Sequence, residues 1–167
     1  ITNWAWDFGD TTYSTLQNET HQYILPGNYQ VTLIVGSNLG CYDTLTQTLS
    51  VYENPTASFG YSKACSNQPI QFTDSSTSSA GQISTWEWDF STGVSISQNP
   101  IYSFPSNFAY GVTLVATTQY GCSDTITKYI IVNKTPEFTI TSPDHCIGNT
   151  IQLQYNPATG SSPNNVF

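Results

Sequence analysis

The sequence predicts an all-β fold in which two-sheet sandwiches follow one another in tandem, and three observations support this prediction. Residues 4–10 and residues 86–92 each alternate aromatic with other side chains. Alternation with a period of two places one set of side chains on one face of a strand. Short runs of this kind recur along the chain, with turn residues between them every 8–12 residues or so. No segment has the 3.6-residue periodicity of a helix.

The aromatic strand is expected to lie at the centre of each sandwich. Trp6 and Trp88 lie in the middle of the alternation, so we expect both in the core. Trp4 and Trp86 lie nearer a strand end and could be half exposed, which leaves sugar stacking open for them. The two copies make up a core motif that consists of Trp6, Asp7, Phe8, Gly9 and Asp10, followed later by Trp88, Asp89 and Phe90.

The chain also repeats itself at a fixed offset. Residues 40–44 read GCYDT, and residues 121–125 read GCSDT. The run VTL at residues 31–33 recurs at residues 112–114, at the same offset. A constant offset of this kind indicates an array of similar units.

The array is expected to be cut at both ends of the chain. We expect a C-terminal part of one repeat at 1–53, a complete repeat at 54–133 and the N-terminal part of a third at 134–167. Pro55 and Pro136 mark very short joints. Neighbouring units are therefore expected to abut.

Seven strands are expected in the complete repeat, at residues 56–61, 70–74, 85–90, 95–98, 101–104, 110–118 and 123–132. The last two carry the clearest pattern, because Val112 and Leu114 alternate inward on one strand, and Ile126 and Ile130 share one face of the other. Gly121 lies in the tight turn expected between them. About seven short strands in one unit of this size indicate an immunoglobulin-like sandwich.

Composition excludes several classes of partner. The formal net charge is −8, with three lysines, no arginine and eleven acidic residues. A nucleic-acid-binding protein would show a basic patch, and three scattered lysines cannot form one. No run approaches the roughly 18 apolar residues of a membrane span, so no membrane insertion is expected.

Three segments of the first repeat, at residues 6–10, 21–23 and 26–33, resemble the PKD domain family. The second repeat departs from the pattern, because Ser91 and Thr92 stand where the family has Gly-Asp. The GC-x-DT hairpin looks like the PKD arrays of Bacteroidota surface proteins, which include gliding-motility adhesins and other type IX secretion substrates. The resemblance covers essentially the whole chain. It implies tandem PKD sandwiches in a secreted protein at the cell surface, on the exterior of the outer membrane.

The four cysteines are Cys41, Cys65, Cys122 and Cys146. None belongs to a Cys-x-x-Cys pair, so structural disulfides in an oxidising compartment are expected. In such a sandwich Cys65 and Cys122 lie at turns on opposite ends of the unit. Disulfide partners in adjacent repeats are therefore favoured, with Cys122 bonded to the preceding unit and Cys65 to the following one. Pairing within one repeat and free thiols stay open.

Resemblance to Bacteroidota glycoproteins implies O-glycosylation at Thr44 and Thr125, which follow an aspartate and precede an aliphatic residue, and more weakly at Thr11. The alternative interpretation is that these threonines are ordinary polar residues at the start of a strand. Asp7, Asp10, Asp43, Asp89 and Asp124 could be read as calcium ligands. We expect them instead to cap turns by accepting hydrogen bonds from backbone amides. No metal and no cofactor is expected.

No catalytic residue is expected. His21 and His145 have no His, Cys or carboxylate partner at ligand spacing, and no serine lies in a nucleophile-elbow motif. We expect a non-catalytic structural or adhesive segment of a long multi-repeat surface protein: a stalk, a filament or a gliding-type adhesin. Its expected partners are neighbouring repeats, surface glycans or other filament subunits. The alternative is a PKD accessory module that helps a secreted hydrolase to bind polysaccharide.

Overall fold

The computed structural model describes residues 1–141 and 154–157, and its side-chain detail covers residues 1–138. All regular elements in these ranges are β-strands, which confirms the all-β prediction. No helix within the described ranges is long and apolar enough to cross a membrane.

The first repeat forms one four-stranded antiparallel sheet. Its strands are Asn3–Asp7 (β1), Tyr13–Ser14 (β2), Gly27–Gly36 (β3) and Tyr42–Val51 (β4). The order across the sheet is β2-β1-β3-β4. Trp6 is opposite Leu33 on β3, and Leu33 is in turn opposite Leu45 on β4. Because these positions are in register, their apolar side chains share one face of the sheet.

The second repeat forms two sheets. Its strands are Phe59–Tyr61 (β5), Ile70–Asp74 (β6), Ile83–Asp89 (β7), Val94–Ser95 (β8), Ile101–Tyr102 (β9), Ala109–Thr118 (β10) and Ser123–Ile131 (β11). One sheet has the order β11-β10-β7-β8, and the other has the order β5-β6-β9. The first of these repeats the arrangement of β1–β4, so the two repeats share one sheet topology.

Three of the predicted strands are shorter than expected by at least two residues. The strand predicted at 56–61 begins only at Phe59, and Thr56 makes an isolated bridge to Thr77 instead. The strand predicted at 95–98 is Val94–Ser95, and the one predicted at 101–104 is Ile101–Tyr102. The strand predicted at 101–104 thus ends at Tyr102, and Phe104, which is fully buried in the core, lies beyond its end.

Two further strands, Phe138–Thr141 (β12) and Gln154–Pro157 (β13), pair with each other. Ile140 is opposite Tyr155, just as Phe59 is opposite Asp74 between β5 and β6. The step along the sequence from the first pair to the second equals the step from one GC-x-DT hairpin to the other. The β12–β13 pair therefore has the register of β5–β6.

The best-packed core is aromatic and lies in the second repeat. The largest fully buried side chains are Trp88, Phe59, Phe72, Phe90, Phe104, Ile70, Leu114, Ile130 and Val112. The ring of Phe72 contacts those of Trp88 and Phe90 edge-on, with centroids 5.8 and 5.0 Å apart. Edge-to-face contacts of this kind add to the burial of apolar area, so a small sandwich gains stability from few large side chains.

By Cα packing the chain divides into two compact units. One comprises residues 1–58, 75–87 and 114–126, and it contains the β1–β4 sheet. The other comprises residues 59–74, 88–113 and those from 127 onward, and it contains the aromatic cluster around Trp88. The repeat boundaries predicted near residues 54 and 134 stay predictions.

Candidate functional site

Two tyrosines stack where the first repeat leads into the second. The rings of Tyr52, which follows β4, and Tyr120, in the turn between β10 and β11, lie 3.9 Å apart between centroids at an angle of 7°. Gly121 shapes that turn with a φ of 83°, a conformation that side chains other than glycine rarely adopt. Gly81 leaves room for the stack, because a Cβ there would come within 2.7 Å of the Tyr120 ring.

Hydrogen bonds fix the linker next to this stack. The Ser79 hydroxyl donates to a Glu53 carboxylate oxygen at 2.6 Å, and the Ala57 amide donates to Asp124 Oδ2 at 2.8 Å. The Ala57 amide, followed by that of Thr125, lowers the pKa of the Asp124 carboxyl below its usual value. We call the region that contains Tyr52, Glu53, Ser79, Tyr120 and Asp124 the joint.

Cysteines border the joint and the end of β11. Cys41 is exposed, Cys65 and Cys122 are half-buried, and all three are free thiols in the described structure. The Cys122 Sγ lies 3.9 Å from the Tyr52 carbonyl oxygen. Cys65 forms an isolated parallel bridge with Asn133. Cys146 lies outside the described residues, so its predicted pairing has no structural test.

The first core motif carries a small polar cluster that the sequence did not predict. Asp10 Oδ2 lies 2.6 Å from His21 Nε2, and the Thr12 hydroxyl donates to the same carboxylate. The Thr12 hydroxyl, and then His21, lower the pKa of Asp10. His21 also stacks on Phe8 with centroids 4.1 Å apart. The expectation that His21 has no carboxylate partner is therefore wrong: the Gly9 turn (φ 76°) brings Asp10 to it.

Three other aspartates that were considered as calcium ligands accept a hydrogen bond from a nearby backbone amide. Asp7 accepts from Gly9 at 2.9 Å, Asp89 accepts from Ser91 at 2.7 Å, and Asp43 accepts from Thr44 at 2.9 Å. These are the local caps expected from the sequence. Within the described ranges, no three potential ligand side chains converge on one point where a metal ion could bind.

The threonines proposed for glycosylation are all at the surface. Thr44 is on β4, Thr125 is on β11, and both side chains are exposed. Thr11 is exposed as well, in the turn after β1, where its φ of 73° is unusual for a branched residue. Exposure makes these hydroxyls accessible, and their modification stays a prediction.

The two central tryptophans have different surroundings. Trp88 is buried, with 2% of its surface exposed, whereas Trp6 is only half-buried. Trp6 lies along a groove of about 310 Å³ on the β1–β4 sheet, which Leu33, Leu45 and Leu49 also line. Trp4 and Trp86 are half-buried, as expected. An apolar groove of this size could accept side chains of another β layer or a small apolar ligand.

Besides the Asp10–His21 contact, sequence reasoning missed two further tertiary contacts. The Tyr52–Tyr120 stack joins two residues that the sequence shows only as aromatic residues beside a linker and a turn. Lys128 lies over the Phe59 ring, 4.8 Å from its centroid, and donates to the Phe59 carbonyl oxygen. Both contacts depend on how distant segments pack together, and the periodicity of a strand does not show this. His145 lies outside the described residues.

Comparison with protein families gives two matches to one model. The model described as PKD domain matches residues 1–51 and again residues 52–132. Similar curated proteins are the pre-pro-metalloprotease PrtV of two Vibrio cholerae serotype O1 strains, M66-2 and ATCC 39315 / El Tor Inaba N16961. The identity is 33% over 132 residues, which is 76% of this chain. The chain spans only 14% of the length of those relatives.

Similar solved structures include PKD domains of two Vibrio proteins. The PKD1 domain of the Vibrio cholerae metalloprotease PrtV is 29% identical, with a TM-score of 0.46, over 48% of this chain and 99% of that domain. The PKD1 domain of Vibrio anguillarum Epp is 22% identical, with a TM-score of 0.47, over 50% of this chain and 99% of that domain. The fibronectin(III)-like modules of Clostridium thermocellum CbhA are 14% identical, with a TM-score of 0.49, over 80% of this chain and 79% of that one.

Proposed function

The chain belongs to the PKD domain family, and from that premise we propose that it is a non-catalytic spacer in a multi-repeat protein that works outside the cell. A spacer needs repeats that hold a fixed distance, which in turn needs joints that resist bending. The similarity to a pre-pro-metalloprotease supports export, because a pre-segment is a secretory leader.

The joint is the observation that carries this proposal. The Tyr52–Tyr120 stack at 3.9 Å and the Glu53–Ser79 hydrogen bond at 2.6 Å bridge residues of the linker to two loops of the following repeat. A linker without such contacts would let the repeats reorient independently. The two stacked rings resist bending of the joint, although both remain partly exposed to solvent.

The joint can be tested by ¹⁵N relaxation of the whole chain in solution, with amides of β3 and β10 as reporters. We expect both sets to fit one common rotational diffusion tensor. Tyr120→Ala removes the stack and should separate the two sets. Tyr129→Ala is the matched control, because Tyr129 is 77% exposed on β11 and has no part in the joint. Independent tumbling of the two sets in the unaltered chain would rule out a rigid spacer.

The finer proposal is that this spacer is part of a cell-surface array of the adhesin or stalk type, with O-glycans on Thr44 and Thr125. It rests on the resemblance of the GC-x-DT hairpins and on the exposure of both hydroxyls. Intact-mass analysis of protein from its natural source checks it directly. Hexose mass on both threonines supports a glycosylated surface array, and unmodified peptides that cover both sites contradict it.

A second candidate is an accessory module of a secreted hydrolase. One specific observation favours it: the curated relatives are metalloproteases. The half-buried Trp6 and its groove supply an apolar contact surface on that reading. Pull-down on insoluble polysaccharides and on denatured protein substrates separates the candidates, since a spacer binds neither and an accessory module binds at least one. Trp6→Ala should abolish any retention that depends on the groove.

A further inference from the structure

The Cys122 thiol lies against the backbone of the residue that follows the last strand of the preceding repeat. Its Sγ is 3.9 Å from the Tyr52 carbonyl oxygen. The position is held firmly, because the ring of Tyr120, two residues earlier, stacks on the Tyr52 ring. The turn that carries Cys122 is closed by a hydrogen bond from the Thr118 amide to the Cys122 carbonyl oxygen at 2.9 Å.

Cys65 lies against the backbone at the corresponding point of the second repeat. It bridges Asn133, which follows β11, in parallel orientation. The Ser66 amide donates to the Asn133 carbonyl oxygen at 2.9 Å, and the Asn133 amide donates to the Ala64 carbonyl oxygen at 3.0 Å. These two hydrogen bonds on either side of Cys65 fix it beside Asn133.

Tyr52 and Asn133 are the same position of the repeat, because the offset between them equals the one between Cys41 and Cys122. The structure preserves this equivalence in its contacts. Thr32 and Thr46 share a hydrogen bond between β3 and β4 at 2.9 Å. Their counterparts at the same offset, Thr113 and Thr127, share one at 2.8 Å. We call the cysteine that occupies the place of Cys65 in any repeat Cys65-type, and the one at the place of Cys122 Cys122-type. The position of Tyr52 and Asn133 therefore lies next to the Cys65-type cysteine of its own repeat and next to the Cys122-type cysteine of the following repeat.

We propose that in the array each Cys65-type cysteine forms a disulfide with the Cys122-type cysteine of the repeat that follows it. Pairing of Cys65 with Cys122 inside one repeat does not fit the strand between them. Cys122 directly precedes β11, and Asn133, the partner of Cys65, follows it closely. A strand of nine residues extends about 30 Å, whereas disulfide partners need Cα atoms within about 7 Å.

The reaction requires an external disulfide as oxidant, for example an oxidised small-molecule thiol or a disulfide-donating protein. One cysteine thiolate attacks the oxidant, and one oxidant sulfur leaves as a thiol. The second cysteine then attacks the mixed disulfide and releases the other oxidant sulfur. Both cysteine sulfurs are oxidised, the oxidant is reduced to two thiols, and the two cysteine protons end on those thiols. An extracytoplasmic location supplies such oxidants.

Two variants of the full chain test the geometry on each side of the joint. Tyr52→Cys places a thiol on the residue whose carbonyl oxygen Cys122 contacts, with loss of the Tyr52–Tyr120 stack, and Asn133→Cys places one on the bridge partner of Cys65. Under oxidised glutathione, each variant should form that one new disulfide, seen by non-reducing peptide mapping. Leu39→Cys, in the exposed turn before Cys41, is the matched control and should link to neither Cys65 nor Cys122. Failure of both designed links would overturn the proposed placement.

The proposal itself is tested in an extended chain that carries a copy of residues 54–82 directly before Ile1. This supplies a Cys65-type cysteine to the first repeat and leaves the rest of the chain unchanged. Oxidation should join the added cysteine to Cys122, and alkylation of Cys122 should slow at least tenfold relative to the original chain. Cys122→Ser should abolish the link, and Cys41→Ser should leave it intact.

A link from the added cysteine to Cys41, a scrambled mixture, or two freely alkylated thiols would each overturn the staple. Misfolding of the added segment is separated from these outcomes by the indole signal of Trp6, which should shift when its groove is covered. If that shift appears without the link, the staple is wrong. If neither appears, the added segment has not covered the groove, and the two designed variants decide: the proposal is wrong if neither Tyr52→Cys nor Asn133→Cys forms its link.

Discussion

The two repeats share one sheet but differ in what covers it. In the second repeat Trp88, Leu114 and Ile130 are almost completely buried, with 2%, 0% and 0% of their surface exposed. In the first repeat Leu49, the counterpart of Ile130, is 43% exposed, and Trp6 is only half-buried. The strands pair in the same order in both repeats. The apolar face of the first sheet is therefore less buried than the equivalent face of the second.

The difference has a visible cause in the second repeat. Phe59 on β5 and Phe72 on β6 contact the Trp88 ring with centroids 5.1 and 5.8 Å away. Within the described residues, no such pair of rings lies on Trp6, whose stacked neighbour is Phe8 at 6.2 Å. Each β layer has one apolar face, which is stable only when another layer covers it. The β5–β6 layer thus converts a paired sheet into a core.

The largest expected effect is a contrast between the two tryptophans. Trp88→Ala should cost about 3–5 kcal/mol of unfolding free energy, the usual range for a buried aromatic side chain. Trp6→Ala should cost about 1–2 kcal/mol, because much of its area is already exposed. Both indoles donate to a carbonyl oxygen, Trp6 to Leu16 at 3.1 Å and Trp88 to Ser97 at 2.9 Å. Each variant therefore loses one comparable hydrogen bond, and the difference between them reflects burial.

Urea unfolding followed through amide signals of β3 and β10 measures the two repeats separately. Trp88→Phe is a milder variant, useful if Trp88→Ala leaves the second repeat unfolded, and it should preserve the rank order. Equal losses of unfolding free energy in Trp6→Ala and Trp88→Ala would show that the β5–β6 layer does not determine how much the central tryptophan contributes to stability.

A smaller contrast is expected at the turn that follows each aromatic strand. Gly9 and Ser91 occupy equivalent positions, with φ values of 76° and 66°. A Cβ on Gly9 would lie 2.7 Å from the Gln30 carbonyl oxygen, whereas the Ser91 hydroxyl donates to the Gly111 carbonyl oxygen at 2.6 Å. The second repeat therefore accommodates at this turn a side chain that the first repeat has no room for.

Gly9→Ala should destabilise the first repeat by about 1–3 kcal/mol, because the left-handed conformation and the close carbonyl both oppose a Cβ. Ser91→Gly should change the stability of the second repeat by less than about 1 kcal/mol, since relief of the positive φ offsets one lost hydrogen bond. The same urea titration measures both variants. A tolerated Gly9→Ala would mean that the backbone of the first turn adjusts freely.

These contrasts show which features the sequence can predict. Alternation at Trp6 and Trp88 identifies both strands and their inward faces, because the period of a strand is a local property. The exposure of Trp6 is not local, since it depends on whether a second layer is present. The Tyr52–Tyr120 stack and the Asp10–His21 contact likewise need the folded turns that bring distant residues together. The end of the strand predicted at 101–104 was wrong because a buried side chain such as that of Phe104 does not require its backbone to be paired in a sheet.

The smallest expected effect is a pH dependence confined to the first repeat. Hydrogen bonds from the Thr12 hydroxyl and His21 lower the pKa of Asp10, so the carboxylate is favoured in the folded state. Its contribution is complete above the unfolded value of about 3.9 and is lost as the pH falls through the lower, folded value. The equivalent contact in the second repeat joins Thr92 to Tyr102 at 3.0 Å and contains no carboxylate.

The amide signal of Thr12, which donates to Asp10 Oδ1 at 3.1 Å, should therefore shift below about pH 4, and the amide signal of Thr92 serves as the reference in the second repeat. Asp10→Asn should remove the Thr12 titration and leave the Thr92 signal unchanged. Asp7 and Asp89 accept hydrogen bonds from the equivalent amides of Gly9 and Ser91, so this contact is common to both turns and does not distinguish them. Because Asp10 and His21 are accessible to water, added salt should weaken the effect. A Thr12 shift that survives in Asp10→Asn would show that Asp10 is not its source, and the expected contrast between the two turns would be wrong.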